Sequence, residues 1–392
     1  MNACAAGVIR ARAGRMHVVV HIGAPKAGSS SIQSALRHNV DALEDQGVGA
    51  FRMGHTLNNA HTLAMRFMQH RKRLKPQERR KHGSLAKGHE KSQRAWEAFA
   101  EQIRARRPEF TVLSSEHFIN LRNPEQLVEA LRELFDDITL VAYLRDPVEQ
   151  FRSRIDQEIR GGARFCDLMA PDMYRHYPNA RLERYLALVG RERLVVRNFA
   201  RENLVKGDVV ADFLAQVGVI AGRPVSLPEP PSRRNESLCA AATAWLMTAN
   251  ETFRRFTDVD DRETLHQRYE LIRRLRLSEE LRALPKLRLD DPELIAPIRR
   301  NTRDYCLWLN ETFLKGQAPL TVEDPKERVL EEAVLRDRMR DWLLGHLTPE
   351  ALDAVLRAAV SLTRPASSAR GRGTKRSTTE RQPSAQPQQT HG

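Results

Sequence analysis

The sequence has few cysteines and no long hydrophobic run. The first argues against a zinc, redox or disulfide-rich protein, and the second against a membrane-spanning one. Its cysteines are Cys4, Cys166, Cys239 and Cys306. They lie far apart and form no zinc, redox or disulfide pattern, so we expect a reducing, cytoplasmic setting. No stretch approaches the roughly 20 apolar residues of a membrane span. Residues 1–16 contain arginines but no apolar core, and we do not expect a secretory signal.

Acidic clusters are also missing, whereas basic residues are plentiful. We find no group of carboxylates that would hold a divalent cation, and we expect no metal. The formal net charge of +14 fits nucleic acid, an anionic membrane surface or an acidic substrate as partner. Arg71–Arg94 is densely basic, and the low-complexity basic tail 364–392 is predicted to be disordered. Both stretches are candidates for contact with an anionic surface, including the inner membrane. The alternative is that each is a solvated basic face with no partner.

The stretch 17–36, HVVVHIGAPKAGSSSIQSAL, is the most informative part of the chain. Its apolar, β-branched start predicts a buried strand of a parallel sheet. A loop of small residues with one lysine, Lys26, follows, and Ser29, Ser30 and Ser31 begin a helical pattern. Such a loop directs backbone N–H groups and a helix N-terminus at one point, which suits phosphate or sulfate. An ordinary strand–turn–helix unit with a surface lysine is the alternative.

Two further strands are followed by polar residues. Ser114-Ser115-Glu116-His117 comes directly after the predicted strand 110–113, and Glu116 is a candidate general base. The alternative is a helix-capping serine with Glu116 near the N-terminus of the helix. Arg145-Asp146-Pro147 follows the predicted strand 138–144, and Pro147 suits the first position of a helix. Ser153 would then lie two turns along, where it and Arg145 could hold one phosphate. A capped turn is the simpler interpretation of this segment alone.

Together, these two anion-binding elements resemble the sulfotransferases that use 3′-phosphoadenosine 5′-phosphosulfate (PAPS). The order Pro-Lys-x-Gly-Ser-Ser resembles their 5′-phosphosulfate loop, and the arginine and serine eight positions apart, at 145 and 153, resemble their 3′-phosphate element. The chain is most similar to a bacterial group related in fold to the carbohydrate sulfotransferases. The resemblance covers residues 15–220. It also places His61 and Glu116-His117 where members of that group have a histidine and a Ser-Ser-Glu-His sequence.

The resemblance and the strand–helix pattern predict an α/β fold. We expect a P-loop-like three-layer sandwich with a central parallel sheet and a mostly helical C-terminal cap. The expected division is an N-terminal extension 1–15, a sulfotransferase core 16–222, a helical part 223–363 over the acceptor site, and the tail. The expected later helices are Val205–Val217, Ala240–Phe256, Arg262–Arg276, Pro292–Phe313 and Lys326–Leu344.

The function implied by the resemblance is in-line transfer of a sulfuryl group from PAPS to a hydroxyl or amine, on a carbohydrate or glycolipid acceptor. Glu116, His61 and His117 compete for the role of base, with Glu116 favoured and His61 next. The expected catalytic residues are Lys26, Glu116 and His61, and the expected donor-binding residues are Lys26, Ala27, Gly28, Ser29, Ser30, Ser31, Arg145 and Ser153.

Two other functions stay open. One is an ATP-dependent kinase of the P-loop type, for which Asp146 would serve as a magnesium ligand. The position of Lys26 argues against a kinase, because the lysine of a P-loop directly follows the last glycine, whereas Lys26 comes two residues before Gly28. The other is a non-catalytic protein on the same fold that binds anionic glycans or nucleic acid through its basic stretches. The oligomeric state cannot be read from the sequence.

Overall fold

A computed structural model describes most of the chain. The described residues are 14–50, 52–53, 56–57, 60–68, 84–175, 178–228, 237–251, 262–326 and 328–360. Most of the N-terminal extension, most of the basic run Arg71–Arg94 and the whole tail 364–392 lie outside these residues, as does the side chain of His61. The predictions for them stay predictions.

Five strands form the central sheet, and all of its pairings are parallel. The strands of the described residues are β1 (His17–Gly23), β2 (Val48–Gly49), β3 (Arg52–Met53), β4 (Thr56–Leu57), β5 (Phe110–Ser114), β6 (Asp137–Leu144) and β7 (Leu194–Asn198). Their order in the sheet is β2-β5-β1-β6-β7, and β3 and β4 form a separate antiparallel pair. The strand that leads into the lysine loop is therefore the middle one.

Helices cover both faces of the sheet and make up most of the C-terminal part. Those described are α1 (Ser29–His38), α2 (Val40–Glu44), α3 (His61–Ala64), α4 (Leu85–Arg106), α5 (Pro124–Arg132), α6 (Pro147–Arg160), α7 (Pro178–Val189), α8 (Val209–Ala221), α9 (Ala240–Asn250), α10 (Arg262–Leu277), α11 (Glu279–Ala283), α12 (Pro292–Thr312), α13 (Glu332–Leu344) and α14 (Pro349–Val360). None of these is long and apolar enough to cross a membrane.

Alternation along β1 divides the core into two layers, because successive side chains of a strand point to opposite faces. Val18 and Val20 face a cluster built with α4, α5 and α7, whereas Val19 faces a cluster built with α1 and α8. Every residue of β1 is buried, including His17 and His21, which bond to Thr139 and Ser114 of the neighbouring strands. The predicted α/β three-layer sandwich with a central parallel sheet is confirmed.

A third apolar cluster surrounds α6 and contains residues of α9, α10, α12, α13 and α14. The mostly helical C-terminal part is thus packed around the helix that follows Arg145. Helix α12 belongs to two clusters, since Leu294 and Ile298 lie in this one and Leu309 lies with the sheet residues. The predicted division of the chain at residues 222 and 223 stays a prediction.

The segment after α12 completes the edge of the sheet at β7. Asn198 donates its backbone N–H to Gln317 Oε1 at 3.0 Å and its side-chain amide to Ala318 O at 2.8 Å. The amide of Gln317 returns a bond to Val196 O at 3.1 Å. Side chains and one irregular segment therefore satisfy backbone groups that a further strand would otherwise pair.

Several predicted bounds are wrong, each for a local reason. The helix predicted over Lys326–Leu344 begins at Glu332, and the segment before it contains Pro325 and is largely exposed. The helix predicted from Val205 begins at Val209, because Asp208 caps it by accepting the backbone N–H groups of Val210 and Ala211.

The sequence also favours one short strand over Gly47–Met53 and an amphipathic helix over residues 95–110 that ends before Pro108, and the structure differs from both. The first is divided between β2 in the main sheet and β3 in the separate pair. The second begins ten residues earlier, at Leu85, where Ser84 accepts the backbone N–H of Lys87.

Gly28 is the residue of the lysine loop that tolerates no side chain. Its φ is +81°, and a Cβ there would lie 2.7 Å from Val209 Cγ1 and 2.9 Å from Phe199 Cε2. Gly316 has nearly the same backbone, with φ +83°, but a Cβ there meets nothing within 4 Å.

We therefore expect Gly28→Ala to lower the free energy of unfolding more than Gly316→Ala does. The left-handed backbone costs both variants about 1–2 kcal/mol. Only Gly28→Ala adds overpacking, worth about 1–3 kcal/mol. Chemical denaturation of the two variants measures the difference, and equal losses would show that the close approach at Gly28 is unimportant.

Candidate anion-binding and transfer site

The loop between β1 and α1 brings backbone N–H groups to one end of the sheet. Gly28 is the residue before the helix, and its carbonyl oxygen accepts from Ser31 N at 2.9 Å and Ile32 N at 3.2 Å. Ser29 and Ser30 occupy the first turn, whose N–H groups have no partner inside a helix. Lys26 adopts a left-handed backbone with φ 68°, at the bend that leads to this turn. This is the geometry of an anion site at a helix N-terminus.

Two hydrogen-bond donors of the loop are satisfied by a carbonyl oxygen within the loop itself. Ser29 Oγ donates to Ala24 O at 2.9 Å, and the N–H of Ala27 points to the same oxygen at 3.3 Å. Ser29 can therefore offer a ligand its backbone N–H but not its hydroxyl proton. The hydroxyl-bearing Ser30 is exposed and Ser31 is half-buried.

The second predicted anion element lies against this loop. Arg145, at the end of β6, donates from Nη1 to Lys26 O at 3.4 Å. One turn into α6, Gln150 Nε2 donates to Pro25 O at 3.4 Å. These bonds join the two elements that sequence reasoning could only assign separately. Ser153 lies half-buried in α6, two turns from the start of the helix.

The guanidinium of Arg145 is held from three directions. Besides its bond to the loop, Nη2 lies 3.2 Å from Glu149 Oε2, and Cζ lies 5.7 Å from the centre of the Phe199 ring. Burial and the neighbouring cation Arg152 lower the pKa of Arg145 from its usual value. The side chain nevertheless keeps 22% of its surface exposed, so it can reach a ligand.

Lys26 lies partly buried among both cations and carboxylates. Its pKa is lowered to about 8, chiefly by burial; the cations Arg160 and Arg145 contribute to the shift, and the carboxylates of Asp156 and Glu116 partly oppose it. Among the described residues, no ion pair or hydrogen bond engages its ammonium. A bound anion would favour the charged lysine, because an opposite charge nearby stabilises the protonated form.

Glu116 lies directly beyond β5, within electrostatic range of Lys26. Its Oε2 accepts from Gln33 Nε2 of α1 at 2.9 Å. The preceding residue, Ser115, is fully buried and donates its N–H to His21 O at 3.0 Å, which prolongs the pairing of β5 with β1. The carboxylate is thus fixed between the sheet and α1, on the side of the loop where Lys26 lies.

The other two candidate bases are His117 and His61, and the structure describes the side chain of only the first. His117 follows Glu116, and its backbone N–H donates to Ser115 Oγ at 3.3 Å. His61 begins α3, but its side chain lies outside the described part of the chain. Glu116 therefore lies within electrostatic range of Lys26, and both its role and that of His61 stay predictions.

Asp146 has a different role from the one that a magnesium site would require. Its Oδ1 accepts the backbone N–H of Val148 at 2.9 Å and so caps α6. Its Oδ2 lies 2.7 Å from Arg299 Nη1. Both oxygens are engaged by protein donors. Within the described ranges, no group of three or more histidine, cysteine or acidic side chains is placed to hold a metal ion.

Sequence reasoning missed four residues that shape this site. Gln33 donates to Glu116, and the ring of Phe199 lies under the guanidinium of Arg145. Gln150 and Arg299 act on the neighbours of the predicted residues, through Pro25 and Asp146. Gln33 and Gln150 lie on helices that the motifs begin, so helical spacing was a usable signal. Arg299 comes from 153 residues further along the chain, and no local pattern marks it.

Comparison with known proteins gives structural neighbours and no sequence match. No protein-family model matches the chain, and no curated protein matches it. A solved sulfotransferase from Alicyclobacillus acidocaldarius is 16% identical, with a TM-score of 0.34 over 59% of this chain and 91% of that one. The sulfotransferase domain of the Synechococcus PCC 7002 olefin synthase is 14% identical, with a TM-score of 0.29 over 74% of this chain and 97% of that one.

The lowered pKa of Lys26 predicts a pH-dependent reactivity. The lysine should lose its proton as the pH rises through about 8, so its acylation should reach half of its maximum near that pH. We expect added 3′-phosphoadenosine 5′-phosphate to move the midpoint to higher pH, because an anion stabilises the charged form. Peptide mass spectrometry after brief acylation measures this, with the exposed Lys315 as reference in the same digest. Identical profiles for the two lysines would contradict the prediction.

Proposed function

We propose that this protein is a PAPS-dependent sulfotransferase that acts on a hydroxyl or amine of a carbohydrate or glycolipid. The observation that carries the proposal is the direct contact between the two anion-binding elements. Arg145 and Gln150 donate to the carbonyl oxygens of Lys26 and Pro25, so both elements face one region at the end of the sheet. A nucleotide with anionic groups at both its 5′ and 3′ positions needs two such elements.

The residues present fit the charge of that donor. The first-turn N–H groups of α1 and the ammonium of Lys26 would hold the 5′-phosphosulfate. Arg145 and Ser153 would hold the 3′-phosphate, one by charge and one by a hydroxyl donor. Burial is the main cause of the lowered pKa of Lys26, and a bound anion would favour the charged form of the lysine.

The chain's own groups can supply the transfer chemistry. When bound, PAPS supplies a phosphosulfate bond that breaks as the acceptor attacks sulfur. Lys26 and the N–H groups of Gly28, Ser29 and Ser30 would stabilise the charge that grows on the departing phosphate. Because these donors are fixed before the reaction, they need no reorganisation, which is often the largest catalytic contribution. Glu116, oriented by Gln33, would accept the proton of the attacking group.

The two alternatives are less well supported. The kinase alternative depended on Asp146 as a magnesium ligand, and that carboxylate instead caps α6 and pairs with Arg299. The non-catalytic alternative depends on basic stretches that lie mostly outside the described residues. It predicts that neutralising residues 71–81 or removing the tail abolishes function while Lys26→Ala does not.

Binding of nucleotides separates the three functions. We expect calorimetry without magnesium to show tight binding of 3′-phosphoadenosine 5′-phosphate and little binding of ATP, because only the former occupies both anion elements. Stronger binding of ATP that requires magnesium would replace this proposal with the kinase. Binding of neither would favour the non-catalytic protein.

Removal of either cation should weaken transfer severely. We expect Lys26→Ala and Arg145→Ala each to lower turnover by a factor of about 100 or more, as the loss of a preorganised contact to developing charge does. Release of 3′-phosphoadenosine 5′-phosphate from PAPS, in the presence of a panel of saccharide acceptors, measures the rate. The matched controls are Lys315→Ala, on an exposed residue, and Arg303→Ala, on a half-buried residue that pairs with Asp324. Equal activity in all four variants would contradict the assignment.

Substitution of the proposed base should affect turnover and leave donor binding unchanged. Glu116→Gln keeps the size of the side chain and removes its basicity, so we expect turnover to fall by about 10²–10⁴. Affinity for 3′-phosphoadenosine 5′-phosphate should change little. His61→Gln and His117→Gln are the comparison variants, and a larger loss in either one would move the role of base to that histidine.

A further inference from the structure

The ion pair between Arg299 and Asp146 connects the C-terminal helical part to the start of α6. Arg299 lies in the second turn of α12, and its Nη1 is 2.7 Å from Asp146 Oδ2. The two side chains keep only 11% and 21% of their surface exposed. A charge-assisted bond with this little solvent access is stronger than a surface ion pair.

Asp146 is the only residue between Arg145 and the first residue of α6. Its other oxygen accepts the N–H of Val148, which fixes the chain direction at the first turn. Arg299 therefore holds the carboxylate whose cap sets the position from which the Arg145 side chain extends. A change at Arg299 would therefore alter the position of Arg145, because Arg145 and Asp146 are adjacent residues.

A second route from α12 reaches the lysine loop. Asn301 Nδ2 donates to Asp172 O at 2.9 Å, two residues before Tyr174. Tyr174 OH donates to Gln150 Oε1 at 3.0 Å, and Gln150 Nε2 donates to Pro25 O at 3.4 Å. Helix α12 thus supports the arginine element directly and the lysine loop through three hydrogen bonds.

We propose that Arg299 is a positioning residue for the 3′-phosphate contact, acting on Arg145 through Asp146. This inference rests on the proposed function, because it takes Arg145 to bind the 3′-phosphate of the donor. It assigns α12 a role in donor recognition, whereas the sequence predicted that the helical part covers the acceptor. The consequence is selectivity for nucleotides that carry a 3′-phosphate.

The test compares two nucleotides that differ in that phosphate alone. Calorimetry gives the affinities of wild-type protein and Arg299→Gln for 3′-phosphoadenosine 5′-phosphate and for adenosine 5′-phosphate. We expect Arg299→Gln to weaken binding of the bisphosphate by about tenfold, the size of one lost charge-assisted bond. Binding of the monophosphate should change by less than about twofold, since its contacts lie on the lysine loop.

Three further variants make the result specific. Arg303→Gln, one turn further along α12, removes an arginine that pairs with the exposed Asp324 and should change neither affinity. Asp146→Asn breaks the same ion pair from the other side while keeping an oxygen for the N–H of Val148. Its effect and that of Arg299→Gln should not add in the double variant, because both remove one interaction. Arg299→Lys should restore part of the selectivity.

Each outcome bears on the proposal. Equal weakening of both nucleotides in Arg299→Gln would show a general loss of structure and overturn the positioning role, as would unchanged binding of the bisphosphate. If Arg299→Gln does not fold, Asp146→Asn provides the test instead: it should weaken binding of 3′-phosphoadenosine 5′-phosphate more than binding of adenosine 5′-phosphate. If the wild-type protein itself fails to prefer the bisphosphate, the proposed function is wrong and the inference is overturned with it.

Discussion

The hydrogen bonds from Arg145 and Gln150 to the carbonyl oxygens of Lys26 and Pro25 are the interaction on which the proposed site depends. A loop at a helix N-terminus presents N–H groups in one direction, and its carbonyls must then be satisfied from another. Gln150 of α6 and Arg145, which directly follows β6, provide those donors, and β6 lies next to β1 in the sheet. The same bonds that fix the loop also fix the arginine relative to the lysine. The two proposed anion contacts are therefore held next to each other.

Burial makes the charged forms of Lys26 and Arg145 less favourable. The lowered pKa values of both groups come first from that burial and then from repulsion by neighbouring cations. Carboxylates at Glu149, Asp156 and Glu116 offset part of it without engaging the ammonium of Lys26 itself. Such a site is stabilised when an anion binds, so the protein should gain stability from its ligand by mass action.

The sequence was sufficient for those parts of the fold that local patterns control. The apolar run of β1, the small-residue loop and the proline at the start of α6 each specify their element within a few residues, and the structure has all three. The predicted starts of two helices were wrong, because a capping side chain, Asp208 or Ser84, determines where each helix begins. The pairing of Asp146 with Arg299 could not be predicted, because nothing near either residue in the sequence indicates the other.

The membership of α12 in two clusters also has a consequence for the order of folding. The contacts that complete the sheet edge and the start of α6 join residues separated by 119 to 153 positions. Loops of that length close late, since their entropy must be lost before the contacts form. A chain emerging from the ribosome can pair its five strands well before residues 292–318 are made. The anion site would therefore be among the last parts of the molecule to reach its final geometry.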